Sequence, residues 1–272
     1  MELTTFALLV LAGVATGFVG YLTGMASLVS YPAMLAAGLS PVAANVSQTL
    51  GLIGIGAGAA TRAMPTLLAG GRRDLLLQLG LAALGGGIGA AVLLVGGEGS
   101  FQLVVPWLIL LASLMVLVSP RLRRLQGDRS APRWVYLAGV LAVSTYGGYF
   151  GAGAGTIYLA LALLASSDAF KRSMILKSVL LAATNIVAAV LFIAFGPVSW
   201  WAALALGLGC LVGGNLGPAA QQLIPERVMR WLVAVAGVGL AAWLARNGLA
   251  EPIAATTHGG RRSGCRLLMA PA

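Results

Sequence analysis

Charge is scarce in this chain. Asp, Glu, Lys and Arg make up only 9% of its 272 residues, against about 25% in an ordinary soluble domain. A water-soluble fold is thereby excluded, because so little polar surface could not cover it. The single histidine, His258, stands in a polar tail, which argues against a histidine-based catalytic or metal centre. Of the two cysteines, Cys210 lies in an apolar segment and Cys265 in the tail, so neither a disulfide framework nor a metal site is expected. No acidic residue lies well inside an apolar segment: Asp74, Glu98, Asp168 and Glu226 all stand at loops or segment ends. A relay of protons through buried carboxylates is not visible, nor is a dyad for a membrane-embedded enzyme, and no cofactor is implied. The net charge of +10 comes from basic residues in short loops, with no basic face interleaved with aromatics, so nucleic acid is not an expected partner.

What the chain has in quantity is apolar length. Hydrophobic residues reach 59% and mean hydropathy is +0.95. Stretches of about 20 apolar residues recur, the length a helix needs to cross the hydrocarbon core. The first of them lacks a basic leader and an A-x-A site, and reads as a retained helix. Punctuation by charge, Gly and Pro divides the chain into ten segments: 4–22, 25–38, 41–61, 74–95, 101–119, 134–150, 153–166, 171–195, 198–221 and 228–246. The polar tail 247–272 is predicted to be disordered. Segments 25–38 and 153–166 are too short for a full crossing, and each follows a Gly-rich break, GYLTGM at 20–25 and GGYFGAGAG at 147–155.

Loop charges orient the segments. Arg62, Arg72, Arg73, the arginines of 121–133, Lys171, Arg172, Arg227 and Arg230 fall in one set of loops. The loops near 38–41, 96–100 and 195–198 carry no basic residue. The positive-inside rule places the first set in the cytoplasm and both termini outside.

The two halves align without a gap at an offset of 128, which sets Gly20-Tyr21 on Gly148-Tyr149 and Gly85, Gly86 and Gly89 on Gly213, Gly214 and Gly217. A five-segment unit repeated in series must lie in opposite orientations, the inverted-repeat design of many secondary transporters. The expected fold is therefore an all-α polytopic membrane protein of two inverted five-segment repeats with broken or re-entrant short helices. The first repeat spans 1–119 and the second 134–246, joined by a basic linker at 120–133.

In such a design the paired glycine interruptions point to the substrate site. Gly24 and Ser27 belong to the first break, and Gly151, Gly153 and Gly155 to the second. A half-helix starting after a break aims free N–H groups at a cavity, an arrangement suited to an anion; equally, small residues permit close helix crossings. Lys177 lies inside segment 171–195, where an ionisable group is a functional candidate by default, unless it snorkels to the interface. Asn45, Ser47, Gln48 and Thr49 form a polar cluster that could donate to an oxyanion or bond between helices, and Asn185 is a further candidate. Tyr21 and Tyr149 beside the breaks could bind, gate or pack.

PVAANVSQT (41–49), GYFGAGAG (148–155), ILKS (175–178) and GPVSWWAAL (196–204) resemble the sulfite exporter TauE/SafE family, in its actinobacterial-looking branch, over about residues 5–246. The first half departs from many relatives in reading Met25-Ala26-Ser27 and Ser47-Gln48-Thr49. The resemblance implies a multi-pass transporter of the cytoplasmic membrane and puts weight on Lys177, about which that family's motif centres. Its substrate would be sulfite, an organosulfonate or a related small anion, held between the repeats near the midplane. A passive anion channel and a non-transporting membrane subunit are the alternatives, and assembly into a homo-oligomer is left open.

Overall fold

The computed structural model describes residues 3–68, 71–124, 132–165 and 170–220. They form eight helices: α1 (Leu3–Thr23), α2 (Ser27–Ala36), α3 (Pro41–Leu68), α4 (Arg72–Arg124), α5 (Arg133–Tyr149), α6 (Ala154–Ala165), α7 (Phe170–Phe195) and α8 (Trp200–Ala220). No strand occurs among the described residues. The segment expected at 228–246 and the tail at 247–272 lie outside them.

Hydropathy explains why these runs are helices. In lipid every backbone group must be satisfied within its own segment. Leu3–Thr23, Arg72–Leu110, Arg172–Phe195 and Trp200–Gly217 are each long and apolar enough to cross a bilayer. Large apolar side chains point outward, among them Leu8, Leu11, Trp107, Val190, Phe195 and Trp201. Polar ones are enclosed, including Thr16, Ser30, Asn45, Gln48, Lys177 and Thr184. That distribution suits a hydrocarbon surround and would fail in water. The chain is an all-α membrane protein.

Two short helices depart from full spans. With 10 residues, α2 rises about 15 Å, and α6 with 12 about 18 Å. The segments expected at 74–95 and 101–119 run on as α4, broken only at Gly97, whose φ of 69° and ψ of −179° leave the helical region. A left-handed φ favours glycine there.

Glycine sets the packing. α8 lies against α1 and α3, while the first arm of α4 lies against α5 and α7. A Cβ on Gly17 would stand 2.6 Å from the Cys210 carbonyl, and one on Gly213 2.8 Å from the Phe18 nitrogen. On the other side, a Cβ on Gly85 would stand 2.7 Å from the Leu141 carbonyl and 2.9 Å from the Thr145 nitrogen. Only backbone-to-backbone contact permits such closeness, the small-residue packing of membrane helices.

These contacts recur at separations close to 128. Gly213 faces Val14, Gly17 and Phe18, whereas Gly85 faces Leu141, Ser144 and Thr145. The glycines are 128 apart and their partners 127 apart. Gly214 faces Ile55 and Gly86 faces Thr184, partners that are 129 apart. Residues in equivalent contacts are thus separated by 127 in α1 and α5, by 128 in α4 and α8, and by 129 in α3 and α7.

Candidate functional site

The breaks meet at the centre. α1 stops at Thr23, and Gly24 turns the chain with φ +80° before α2 begins. α5 stops at Tyr149, and Gly151 and Gly153 turn it with φ +72° and +77° before α6 begins. The two turns are joined directly. The Gly155 N–H donates to the Gly24 carbonyl at 3.2 Å, and the Thr156 hydroxyl donates to the Thr23 carbonyl at 2.5 Å. A Cβ on Gly155 would lie 2.6 Å from the Gly24 Cα, so this junction requires glycine. The start of α6 is therefore bonded to the end of α1, and Gly153 and Gly155 do not line the cavity described below.

Two tethers cross between the halves. The Lys177 ammonium donates to the Tyr21 carbonyl at 2.9 Å, at the carbonyl-rich end of α1. Lys177 is only 2% exposed, so it does not snorkel to an interface. The Asn45 amide donates to the Tyr149 carbonyl at 2.8 Å, at the end of α5. Behind it, Gln48 donates to the Asn45 amide oxygen at 3.0 Å, and the Ser30 hydroxyl donates to Gln48 at 2.6 Å. Gln48 and Lys177 stand 129 apart, the separation of equivalent contacts in α3 and α7. One half thus reaches the opposite helix end through an ammonium and the other through a relay of amides. Ser47 accepts a hydrogen bond from the Ser199 N–H at 2.9 Å. The Tyr21 ring abuts Gly217, and the Tyr149 ring lies 5.7 Å from the Phe101 ring; neither tyrosine lines the cavity.

Between the breaks and the middles of α3 and α7 lies a cavity of about 50 Å³, room for on the order of four water-sized groups. Gly20, Gly24, Ser27, Thr49, Leu52 and Gly56 line it from one half, and Gly147, Gly151, Ser178, Leu181 and Asn185 from the other. The register recurs here, since Gly20 and Gly147 are 127 apart and Thr49 and Ser178 are 129 apart. Ser27 and Asn185 are 3% and 9% exposed, and neither has a hydrogen-bond partner among the described residues. The Thr49 hydroxyl donates to the Asn45 carbonyl at 2.8 Å and Ser178 to the Met174 carbonyl at 3.1 Å.

Five of the residues expected at a site therefore line one cavity: Gly24, Ser27, Thr49, Gly151 and Asn185. Lys177, Asn45, Gln48, Tyr21 and Tyr149 act one layer out, in the tethers. Ser178 and Gly56 are additional. Their signal was a helical stripe, Thr49-Leu52-Gly56 on α3 and Ser178-Leu181-Asn185 on α7, spaced three and then four residues along each helix.

The sequence profile of the sulfite exporter TauE/SafE proteins matches residues 9–244. The chain belongs to that family. Proteins similar to it include a Sinorhizobium protein described as a "Probable membrane transporter protein ORF9", 29% identical over 90% of this chain and 93% of the relative. A Haemophilus influenzae "Probable membrane transporter protein" is 28% identical over 84% of this chain and 90% of its own. The Escherichia coli K12 "Probable membrane transporter protein YfcA" is 26% identical, covering 84% and 85%. No solved structure matches it. As a TauE/SafE protein the chain is a multi-pass membrane transporter, and the apolar helices and enclosed polar residues fit that assignment.

Proposed function

We propose that this transporter is a secondary carrier of a small anion across the cytoplasmic membrane, with the cavity between the breaks as its substrate site. The observation that carries the proposal is that Ser27 and Asn185, two buried residues with no side-chain hydrogen bond among the described residues, line one small cavity. A resting site of that kind is stabilised by a ligand that accepts their protons. The N-terminus of α2 puts a positive dipole end beside Ser27, although the Leu28, Val29 and Ser30 N–H groups already donate to the Met25 and Ala26 carbonyls. Lys177, next to Ser178 in sequence, supplies a positive charge in the adjoining layer. The volume suits a compact oxyanion of four or five heavy atoms.

The proposal includes two inverted five-segment repeats, 1–119 and 134–246, around this cavity. Support comes from the recurring contacts at separations of 127 to 129 and from the crossed tethers. The basic stretches at 62–73 and 167–172 are assigned to the cytoplasm on their charge.

The test is a thermal-shift screen of purified protein with sulfite, sulfate, thiosulfate, taurine, sulfoacetate and simple carboxylates, followed by flux in proteoliposomes. A stabilising anion, and saturable flux accelerated by the same anion on the far side, are expected. Ser27→Ala and Asn185→Ala should each weaken that stabilisation. Linear flux without acceleration would indicate a channel, and no response to any anion would reject the proposal.

A further inference from the structure

The positions of the protons around the cavity restrict its ligand further than size does. A hydroxyl has one proton to give. Thr49 has committed its proton to the Asn45 carbonyl and Ser178 to the Met174 carbonyl, each one helical turn back. Toward anything else each hydroxyl can therefore only accept. Ser27 keeps its proton available, and Asn185 carries both an N–H pair and a carbonyl oxygen, with no partner for either among the described residues. The lining thus has a donor set and an acceptor set. None of its side chains is charged. The nearest charge in sequence is Lys177 on α7, whose ammonium reaches the Tyr21 carbonyl on α1.

A fully deprotonated oxyanion satisfies only the donor set. Its remaining oxygens would face the lone pairs of Thr49 and Ser178, leaving repelling acceptors in a desolvated space. An anion with a donor of its own satisfies both sets. We propose that the cavity selects compact anions that carry an O–H or N–H group, such as a singly protonated oxyanion, over anions of equal charge and size that carry none. The inference rests on the cavity being the substrate site and adds to that reading the protonation state of what is moved. The proton would then travel on the substrate, which fits a cavity without a carboxylate in its lining.

The experiment is titration of the purified, full-length protein with matched anions. Hydrogencarbonate and nitrate share charge, planarity and heavy-atom count, but only the first carries a donor. Hydrogensulfite, as HO–SO2⁻, and methanesulfinate, CH3–SO2⁻, form a second pair of equal charge and heavy-atom count in which a methyl group replaces the O–H. The donor-bearing member of each bound pair should bind about tenfold more tightly, the equivalent of one or two net hydrogen bonds. In the double variant Thr49→Val, Ser178→Ala the preference should fall to within about twofold, chiefly because the donor-free anion gains. Ser27→Ala should weaken both members alike, which separates acceptor-set selectivity from a general loss of the fold. Equal or tighter binding of the donor-free anion by the unaltered protein would overturn the inference while leaving the anion site intact. If no anion of either pair or of the wider screen binds, the substrate-site reading falls, and this inference with it.

Discussion

Gly155→Ala probes the junction of the two breaks. The added Cβ would stand 2.6 Å from the Gly24 Cα and 2.9 Å from the Gly24 carbonyl oxygen, whereas carbon atoms in comfortable contact sit at about 3.5–4.0 Å. Both obstacles are backbone, so no rotamer change relieves them, and the turn must retreat by about 1 Å. That retreat stretches the Gly155-to-Gly24 hydrogen bond from 3.2 Å past the useful limit, and it also draws the Thr156 hydroxyl from the Thr23 carbonyl. Overpacking costs about 1–3 kcal/mol, and hydrogen bonds between membrane helices contribute about 0.6 kcal/mol each on average. A loss of about 3 kcal/mol in unfolding free energy is expected. Reversible unfolding in mixed detergent micelles measures it, with Thr156→Val as the comparator that deletes one bond without a clash and should lose about 1 kcal/mol. If Gly155→Ala lies within about 0.5 kcal/mol of the parent, the ordinary range for inconsequential substitutions, the two breaks are not joined as described.

Three further outcomes follow from contacts elsewhere. Gly213→Ala should destabilise by about 2 kcal/mol or more because its Cβ meets the backbone of α1, and Gly87→Ala by less than about 0.5 kcal/mol, because its Cβ meets only the Val187 side chain, at 3.4 Å; unfolding of the two variants side by side decides this. Lys177→Met should keep unfolding free energy within about 1 kcal/mol of the parent, since an apolar side chain of similar length needs no desolvation, yet reduce anion-induced stabilisation by about tenfold in affinity. A large stability loss with unchanged anion affinity would make Lys177 a strut alone. Arg133→Ala removes a pair with Asp74 whose side chains are 68% and 52% exposed, so unfolding should shift by less than about 0.5 kcal/mol.

Much of this architecture was legible in the residues. The long apolar runs became α1, α3, α4, α5, α7 and α8 within a few positions, because the bilayer length and the need to satisfy backbone groups leave a helix little alternative. Both short helices and both Gly-rich breaks were visible as punctuation. The break in α4 was visible too, although the chain resumes its helix immediately after Gly97. The contact separations of 127 and 129 were hidden: in a chain with 38 glycines, sequence matches alone do not show which glycine meets which backbone. The roles of Lys177 and Asn45 were likewise hidden, because a polar side chain that reaches across 100 or more residues to a carbonyl has no local signature. Ser178 was overshadowed by the lysine beside it, although it shares the helical face of Asn185.

The exchange of partners between the halves has a consequence for biogenesis. α1 presents Gly13 and Gly17 to α8, which follows almost 200 residues later. At usual synthesis rates that delay is on the order of 10 to 40 s. Until α8 enters the bilayer, the first helix keeps its glycine groove bare, although α2 and α3 already lie against its other faces. The nascent protein must therefore pass through a stage in which inserted helices wait, loosely gathered, for the piece that locks them together.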